Sequence, residues 1–194
     1  MGAGTGGTSA FVFEKLKKFK NNVNYCYTDI SVGFTRYGKA EYGNKFGFGT
    51  FKVLDIEKDI KNQGFLENNI DLCFATNAIH ATSDISNALE NVKILLKSNG
   101  IFILNELTKL QIFSTLTFGL TNGWWLFKDP SSRIKASPLL SPRQWKTQLS
   151  QQEFKNIKLI DVFNSEEIEK AQSIIIAESN GIVKLKKIWY TNTS

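Results

Sequence analysis

Cysteine, arginine and long apolar runs are all scarce in this chain, and each shortage excludes something. The two cysteines, Cys26 and Cys73, sit in apolar strand-like runs without metal-ligand spacing. Neither a disulfide scaffold nor a zinc module is therefore expected, and a reducing cytosol fits. No stretch approaches the ~18 to 20 apolar residues of a membrane span. Glycines stand at the amino end, where a secretory leader would carry a basic and then an apolar segment. Membrane insertion and secretion are not expected. Of 24 basic residues only Arg36, Arg133 and Arg143 are arginine, the residue favoured for bidentate phosphate and base contacts. The lysines are scattered, so the net charge of +6 is not the footprint of a nucleic-acid binder. An acidic protein partner would still feel that field.

What remains is 194 residues, 42% hydrophobic and 22% charged, enough for one α/β domain with one sizeable core. Neither an internal repeat nor a low-complexity linker interrupts it. Gly2 to Gly7 form a glycine turn feeding a helix whose apolar stripe reads Val12, Leu16, Phe19. Strands are predicted over Val23–Thr28 and Thr50–Leu54, each followed by an aspartate, Asp29 and Asp55; between them, 31–43 is glycine-interrupted and only weakly helical. Ile70–Ala75 reads as a buried parallel strand ending near Asn77 and His80. A helix follows on Ile85, Ala88, Leu89, Val92, Leu95 and Leu96, capped by Ser83 or Asp84 and stopped by Asn99-Gly100. Ile101–Leu104 is the next strand, ending near Glu106. This alternation predicts βαβ units and a parallel sheet.

From about 110 to 140 the alternation lapses into an aromatic stretch with Phe113, Phe118, Trp124, Trp125 and Phe127, the pattern of a lid or binding loop. Ser141-Pro-Arg-Gln144 is a capping box opening a helix that buries Trp145 and Leu149. Ile157–Phe163 and Ser173–Ala177 are the final strands, separated by an acidic helical turn. One element is expected and absent: a glycine loop of this kind normally follows a central strand, and only Met1 precedes it. The domain therefore reads as amino-terminally truncated, with unpaired neighbours and low stability as the expected consequence.

Several residues are placed for chemistry. Gly2, Gly4 and Gly6 fit a nucleoside-binding GxGxG turn, while Gly2, Gly4 and Gly7 fit the dinucleotide fingerprint equally. Either loop brings a ligand against backbone N–H groups at a helix N-terminus. Asp29, ~20 residues on, is placed to accept from ribose hydroxyls, and Asp55 can receive an adenine amino group; each can equally cap a turn. His80, the only histidine, lies just past a strand end, and Glu106 just past the next. If those strands are neighbours the two side chains meet, and a carboxylate on one imidazole nitrogen fixes the tautomer and raises the basicity of the other.

The motifs Gly2-Ala-Gly-Thr-Gly-Gly-Thr8, Thr28-Asp-Ile-Ser31, Leu54-Asp-Ile-Glu57 and Asn77-Ala-Ile-His-Ala-Thr82 occur in order. They are followed by Asn105-Glu-Leu-Thr108, Thr117-Phe-Gly-Leu120, Gly123-Trp-Trp125 and Ser137-Pro-Leu-Leu-Ser141 with Trp145. Together they resemble the C-methyltransferase domain of polyketide synthases, in the methyltransferase type 12 group, over nearly the whole chain to about Ala177. The resemblance implies a Rossmann-like class I methyltransferase sheet, mostly parallel with a carboxy-terminal antiparallel hairpin. It implies S-adenosylmethionine as cofactor, with Gly2, Gly4 and Gly6 at the methionine portion, Asp29 at the ribose, Asp55 and Ile56 at the adenine and Asn77 at the rim. It gives His80 as base, Glu106 as its partner, and Phe118, Trp124 and Trp125 as lid. The reaction implied is methylation of the α-carbon of a β-ketoacyl thioester on an acyl carrier protein, within a synthase of several domains. Departures from the pattern are the missing first strand, Ser98-Asn99 where proline-glycine is usual, and a lysine-rich tail over about 181–194. Two alternatives stay open at this level: a non-catalytic remnant of such a domain, and a nicotinamide-dependent oxidoreductase.

Overall fold

Glycine opens the chain because the backbone there is left-handed: Gly2, Gly4 and Gly6 take φ of 59°, 55° and 82°. Helix α1 (Gly7–Leu16) begins directly after them. The computed structural model describes residues 1–161 and 171–183. The buried face of α1 is not the Val12–Leu16–Phe19 stripe. Phe13 is fully buried, Val12 and Leu16 lie at the edge of its cluster, and Phe19 is half exposed. The reason is tertiary: Phe13 stacks on Phe46 at 4.9 Å and meets Tyr25 at 4.2 Å, while residues 17–19 tighten into a 3₁₀ turn.

Strand β1 (Tyr25–Asp29) pairs in parallel with β2 (Gly49–Val53), Tyr27 opposite Phe51. The segment between them is a full helix, α2 (Val32–Tyr42), capped by the Ser31 hydroxyl. Its interior Gly38 answers a packing need rather than breaking the helix, since a Cβ there would lie 2.7 Å from the Tyr27 ring. Phe13, Tyr25, Tyr27, Tyr42 and Phe46 together make an aromatic core under the glycine loop.

A second sheet carries the rest, in the order β3-β4-β6-β5. Strands β3 (Ile70–Thr76) and β4 (Leu96–Leu107) are parallel neighbours, Thr76 opposite Asn105. Helix α3 (Ile85–Leu95) joins them, with Asp84 accepting from Asn87 N at 3.0 Å as its cap. Ile85, Ala88, Leu89, Val92 and Leu95 are buried along one face, the larger of them worth about 1.5 to 3 kcal/mol each. The helix ends at Leu95, four residues before the expected Asn99-Gly100 stop. Those two residues instead lie within β4, at an irregularity in its pairing with β3. Asn99 takes a φ of 65°, and a Cβ on Gly100 would meet the Lys97 and Ile70 carbonyls at 2.9 and 3.1 Å.

Helix α4 (Ile112–Thr117) and three 3₁₀ turns fill the aromatic segment. Helix α5 (Pro142–Gln151) opens on the expected capping box, Ser141 with Gln144, and buries Trp145 and Leu149. Strand β6 (Gln172–Glu178) runs antiparallel both to β4 and to β5 (Lys155–Asp161), which is the expected hairpin. Residues 162–170, on which most of the expected acidic turn between the last two strands falls, and the tail from 184 lie outside the described residues. No described helix is long and apolar enough to cross a membrane.

Among the described residues β1 pairs only with β2, and β3 only with β4. The two sheets meet through the first residues: the Met1 amine donates to Phe74 O at 3.0 Å and Ala3 N to Thr28 O at 3.0 Å. Tyr25 and Phe74 touch below, ring centroids 6.1 Å apart.

Candidate active site

The three predicted loop glycines have separate reasons to be glycine. A Cβ on Gly2 would strike that of Ala78 at 2.4 Å, and one on Gly6 would enter the Tyr42 ring at 2.6 Å. Gly4 faces open space, with nothing within 4 Å of the position its Cβ would take, so its backbone is free to be approached. Asp29, buried at the end of β1, accepts from Gly4 N at 2.9 Å through one oxygen and from Ser31 N at 2.8 Å through the other. It holds the loop with the nearer lone pairs and has acceptor capacity left.

The sequence reading missed two tyrosines that hold the same loop from beneath. Tyr27 donates its hydroxyl to Gly4 O at 2.6 Å and Tyr42 to Thr5 O at 3.1 Å. Burial pushes the Tyr27 phenol up to about 12, so it is a donor throughout the neutral range.

Asp55 takes the turn-capping role left open for it. It accepts from Glu57 N at 3.1 Å and pairs with Lys58 at 3.1 Å, on the edge of a shallow hollow of about 640 Å³ shared with Glu57, Ser83 and Lys128. Its backbone is held by a residue no motif marked: Gln63 accepts from Asp55 N at 2.8 Å and donates to Asp55 O at 2.9 Å. Ile56 is buried, and Asn91 of α3 donates to its carbonyl at 2.7 Å. The Asn77 side chain turns to β4, accepting from Leu107 N at 3.0 Å, while its backbone sits at a φ of 47°.

His80 and Glu106 meet as the strand-neighbour argument requires. His80 lies in the 3₁₀ turn Ile79–Ala81 after β3, Glu106 near the end of β4, and Nδ1 sits 2.5 Å from Oε2. Glu106 is fully buried and His80 nearly so. The other carboxylate oxygen accepts from Ala78 N at 3.2 Å and Ile79 N at 3.1 Å. One buried carboxylate therefore orients both the ring and the turn that carries it, and Nε2 is the nitrogen left for chemistry.

Of the three aromatics expected to form a lid only Trp124 reaches the histidine, its ring edge-on at 5.9 Å; Phe118 stacks on Trp124 at 5.9 Å. Trp125 turns away, donating to Gly119 O at 2.8 Å, and is half exposed. Ile112, Phe113, Leu116 and Leu120 are largely exposed, an apolar surface on the same segment.

Residues 1–102 match the family model described as "Methyltransferase domain". Polyketide synthase PksR of Bacillus subtilis (strain 168) is 42% identical over 189 residues, 96% of this chain and 7% of that protein. Among solved structures, the DszA carbon methyltransferase superposes with a TM-score of 0.89 at 43% identity, over 94% of this chain and 47% of that one. The trans-methyltransferase CalH in complex with SAH does so at 0.80 and 31% identity, over 92% and 49%. The chain thus spans about half the length of these solved relatives and a small fraction of the synthase.

Proposed function

Because this chain belongs to the methyltransferase domain family and is homologous to the C-methyltransferase domains of polyketide synthases, we propose that it methylates the α-carbon of a β-ketoacyl thioester presented on an acyl carrier protein, working within a polyketide synthase. The observation that carries this reading is the buried His80–Glu106 pair, set at the ends of adjacent parallel strands.

S-adenosylmethionine, when bound, supplies an electrophilic methyl group on a sulfonium. The residues present fit such a group: Gly4 offers open backbone in left-handed conformation, and Asp29 has acceptor capacity beside it. In this reading Gly2, Gly4 and Gly6 hold the methionine portion, Asp29 the ribose, Asp55 and Ile56 the adenine, and Asn77 the rim.

The α-proton between a ketone and a thioester is acidic enough for an imidazole to remove. His80 Nε2 takes that proton, and the C–H electron pair becomes the enolate. That enolate carbon would be the nucleophile for the sulfonium methyl that bound S-adenosylmethionine would supply, and His80 returns its proton to solvent. Glu106 keeps Nδ1 protonated, so that Nε2 presents its lone pair, and balances the imidazolium charge. Trp124 and Phe118 keep water from the ring, which favours a step in which opposite charges neutralise.

The test is methyl transfer from labelled S-adenosylmethionine to a β-ketoacyl thioester, with His80→Ala as control. Methylation should vanish in the variant while cofactor affinity stays within a few-fold. Wild-type turnover in His80→Ala would remove the histidine from the mechanism.

A further inference from the structure

Glu106 grips only the amino end of the histidine turn, taking its N–H groups. The carbonyl end is gripped by a second buried side chain that the mechanism above does not use. Arg133 donates from Nη1 to His80 O at 2.6 Å and to Pro138 O at 2.7 Å, and from Nη2 to Thr82 O at 2.7 Å. Its Nε donates to Asp129 Oδ1, and Asp129 Oδ2 accepts from Ile85 N, the first residue of α3, at 3.0 Å. The guanidinium side chain is fully buried, with the Phe127 ring 5.1 Å away.

This is more than a loop staple needs. A buried guanidinium is costly unless its donors are met, and here four donations go to three separate carbonyls and one carboxylate. Two of those carbonyls belong to His80 and Thr82, so the backbone that aims the imidazole is pinned on the side opposite Glu106. The third, of Pro138, and the Asp129 carboxylate belong to the chain returning from the aromatic segment. Asp129 balances the charge, so the contribution is to geometry rather than to the field at the ring. Lysine, with a single ammonium in place of a planar fork, cannot reproduce the pattern.

We infer that Arg133 is a positioning residue for the base. With Glu106 it fixes the His80 turn from both ends, and it locks the return of the aromatic segment to that turn. The inference rests on the reading of His80 as base.

His80 is the only histidine, so the ring signals of ¹⁵N-labelled histidine report this site alone. Arg133→Lys is measured by melting, by S-adenosylhomocysteine affinity, by the histidine spectrum, and by kcat and KM for a β-ketoacyl N-acetylcysteamine thioester. The expected result is a folded protein with analogue affinity and KM within a few-fold of wild type. Its histidine signals should broaden or split between tautomers, and kcat should be roughly 10²-fold lower, the cost of misplacing a reacting group by about 1 Å. Arg133→Gln with Asp129→Asn is the second variant; it keeps a planar donor toward the carbonyls and leaves no unpaired charge, and should lose kcat in the same way. An unchanged histidine spectrum with kcat within two-fold in either folded variant overturns the inference. Failure of both variants to fold also overturns it, since the residue would then serve folding alone. A wild-type protein that neither methylates the thioester nor exchanges its α-protons with solvent deuterium sinks the reaction reading instead. The histidine spectrum would still decide what Arg133 does.

Discussion

Glu106→Gln is the substitution for which the structure gives the most definite answer. The carboxylate accepts three hydrogen bonds: two from the Ala78 and Ile79 N–H groups on Oε1, one from His80 Nδ1 on Oε2. In the glutamine variant the amide oxygen can keep both backbone N–H groups, so neither of those donors is orphaned and the turn survives. The amide nitrogen then faces Nδ1, and it can only donate. Nδ1 must become the acceptor, which places the proton on Nε2, where the base should have its lone pair. Inverting the tautomer and losing the counter-charge together should cost about 10² to 10⁴ in kcat, or about 3 to 5 kcal/mol of barrier. Melting should change little, because replacing a buried carboxylate by its neutral isostere also removes a desolvation penalty. Single-turnover methyl transfer measures the rate, and the nitrogen shifts of the lone histidine measure the tautomer. A variant that keeps Nδ1 protonated, or methylates at the wild-type rate, would show that the pair is not the coupled unit described above.

Asp29→Ala removes the acceptor for Gly4 N and Ser31 N and should weaken S-adenosylmethionine binding by about 1.5 to 3 kcal/mol, measured by titration calorimetry; unaltered affinity would place the ribose elsewhere. Alkaline pH should loosen the aromatic core. Burial pushes the Tyr25 and Tyr27 phenols up to about 12, whereas the unfolded phenol ionises near about 10. The stabilisation is complete below that lower value and is lost as pH climbs toward the upper one. Analogue affinity should fall over the same range, because a Tyr27 phenolate cannot donate to Gly4 O, and Tyr27→Phe should show the weaker affinity already at neutral pH. Burial likewise pushes the Cys73 thiol up to about 11. Mass spectrometry should find it unmodified by iodoacetamide at neutral pH until the protein unfolds; rapid native alkylation would contradict its placement.

What sequence could reveal depended on whether the cause was local. The β3-α3-β4 unit was legible because its apolar spacing is strong and its cap adjacent, and the His80–Glu106 meeting followed from strand order alone. Phe13 was not, because its burial is decided by Tyr25, Tyr42 and Phe46, far along the chain. Helix α2 looked weak because Gly33 and Gly38 lower its propensity, and nothing local reveals that Gly38 makes room for the Tyr27 ring. Gln63, Asn91 and Arg133 hold backbone carbonyls of other segments; a side chain satisfying a distant carbonyl leaves no spacing pattern. Arg133 offered one faint signal, as a rare arginine in a lysine-rich chain. The aromatic segment stands out in the sequence, but which tryptophan turns toward His80 depends on the Trp125 bond to Gly119.

The glycine loop is also bonded to strands of both sheets. Met1 bonds to β3, Ala3 to β1, and Thr8 reaches Thr76 at 3.1 Å. A ligand seated on Gly4 would therefore bear on a loop held by both β1 and β3, and its binding energy would enter the stability of those strands as well as its own occupancy. At a hundredfold excess over its dissociation constant such a ligand adds about 2.7 kcal/mol to global stability. It should raise protection from amide exchange in β1 and β3 together.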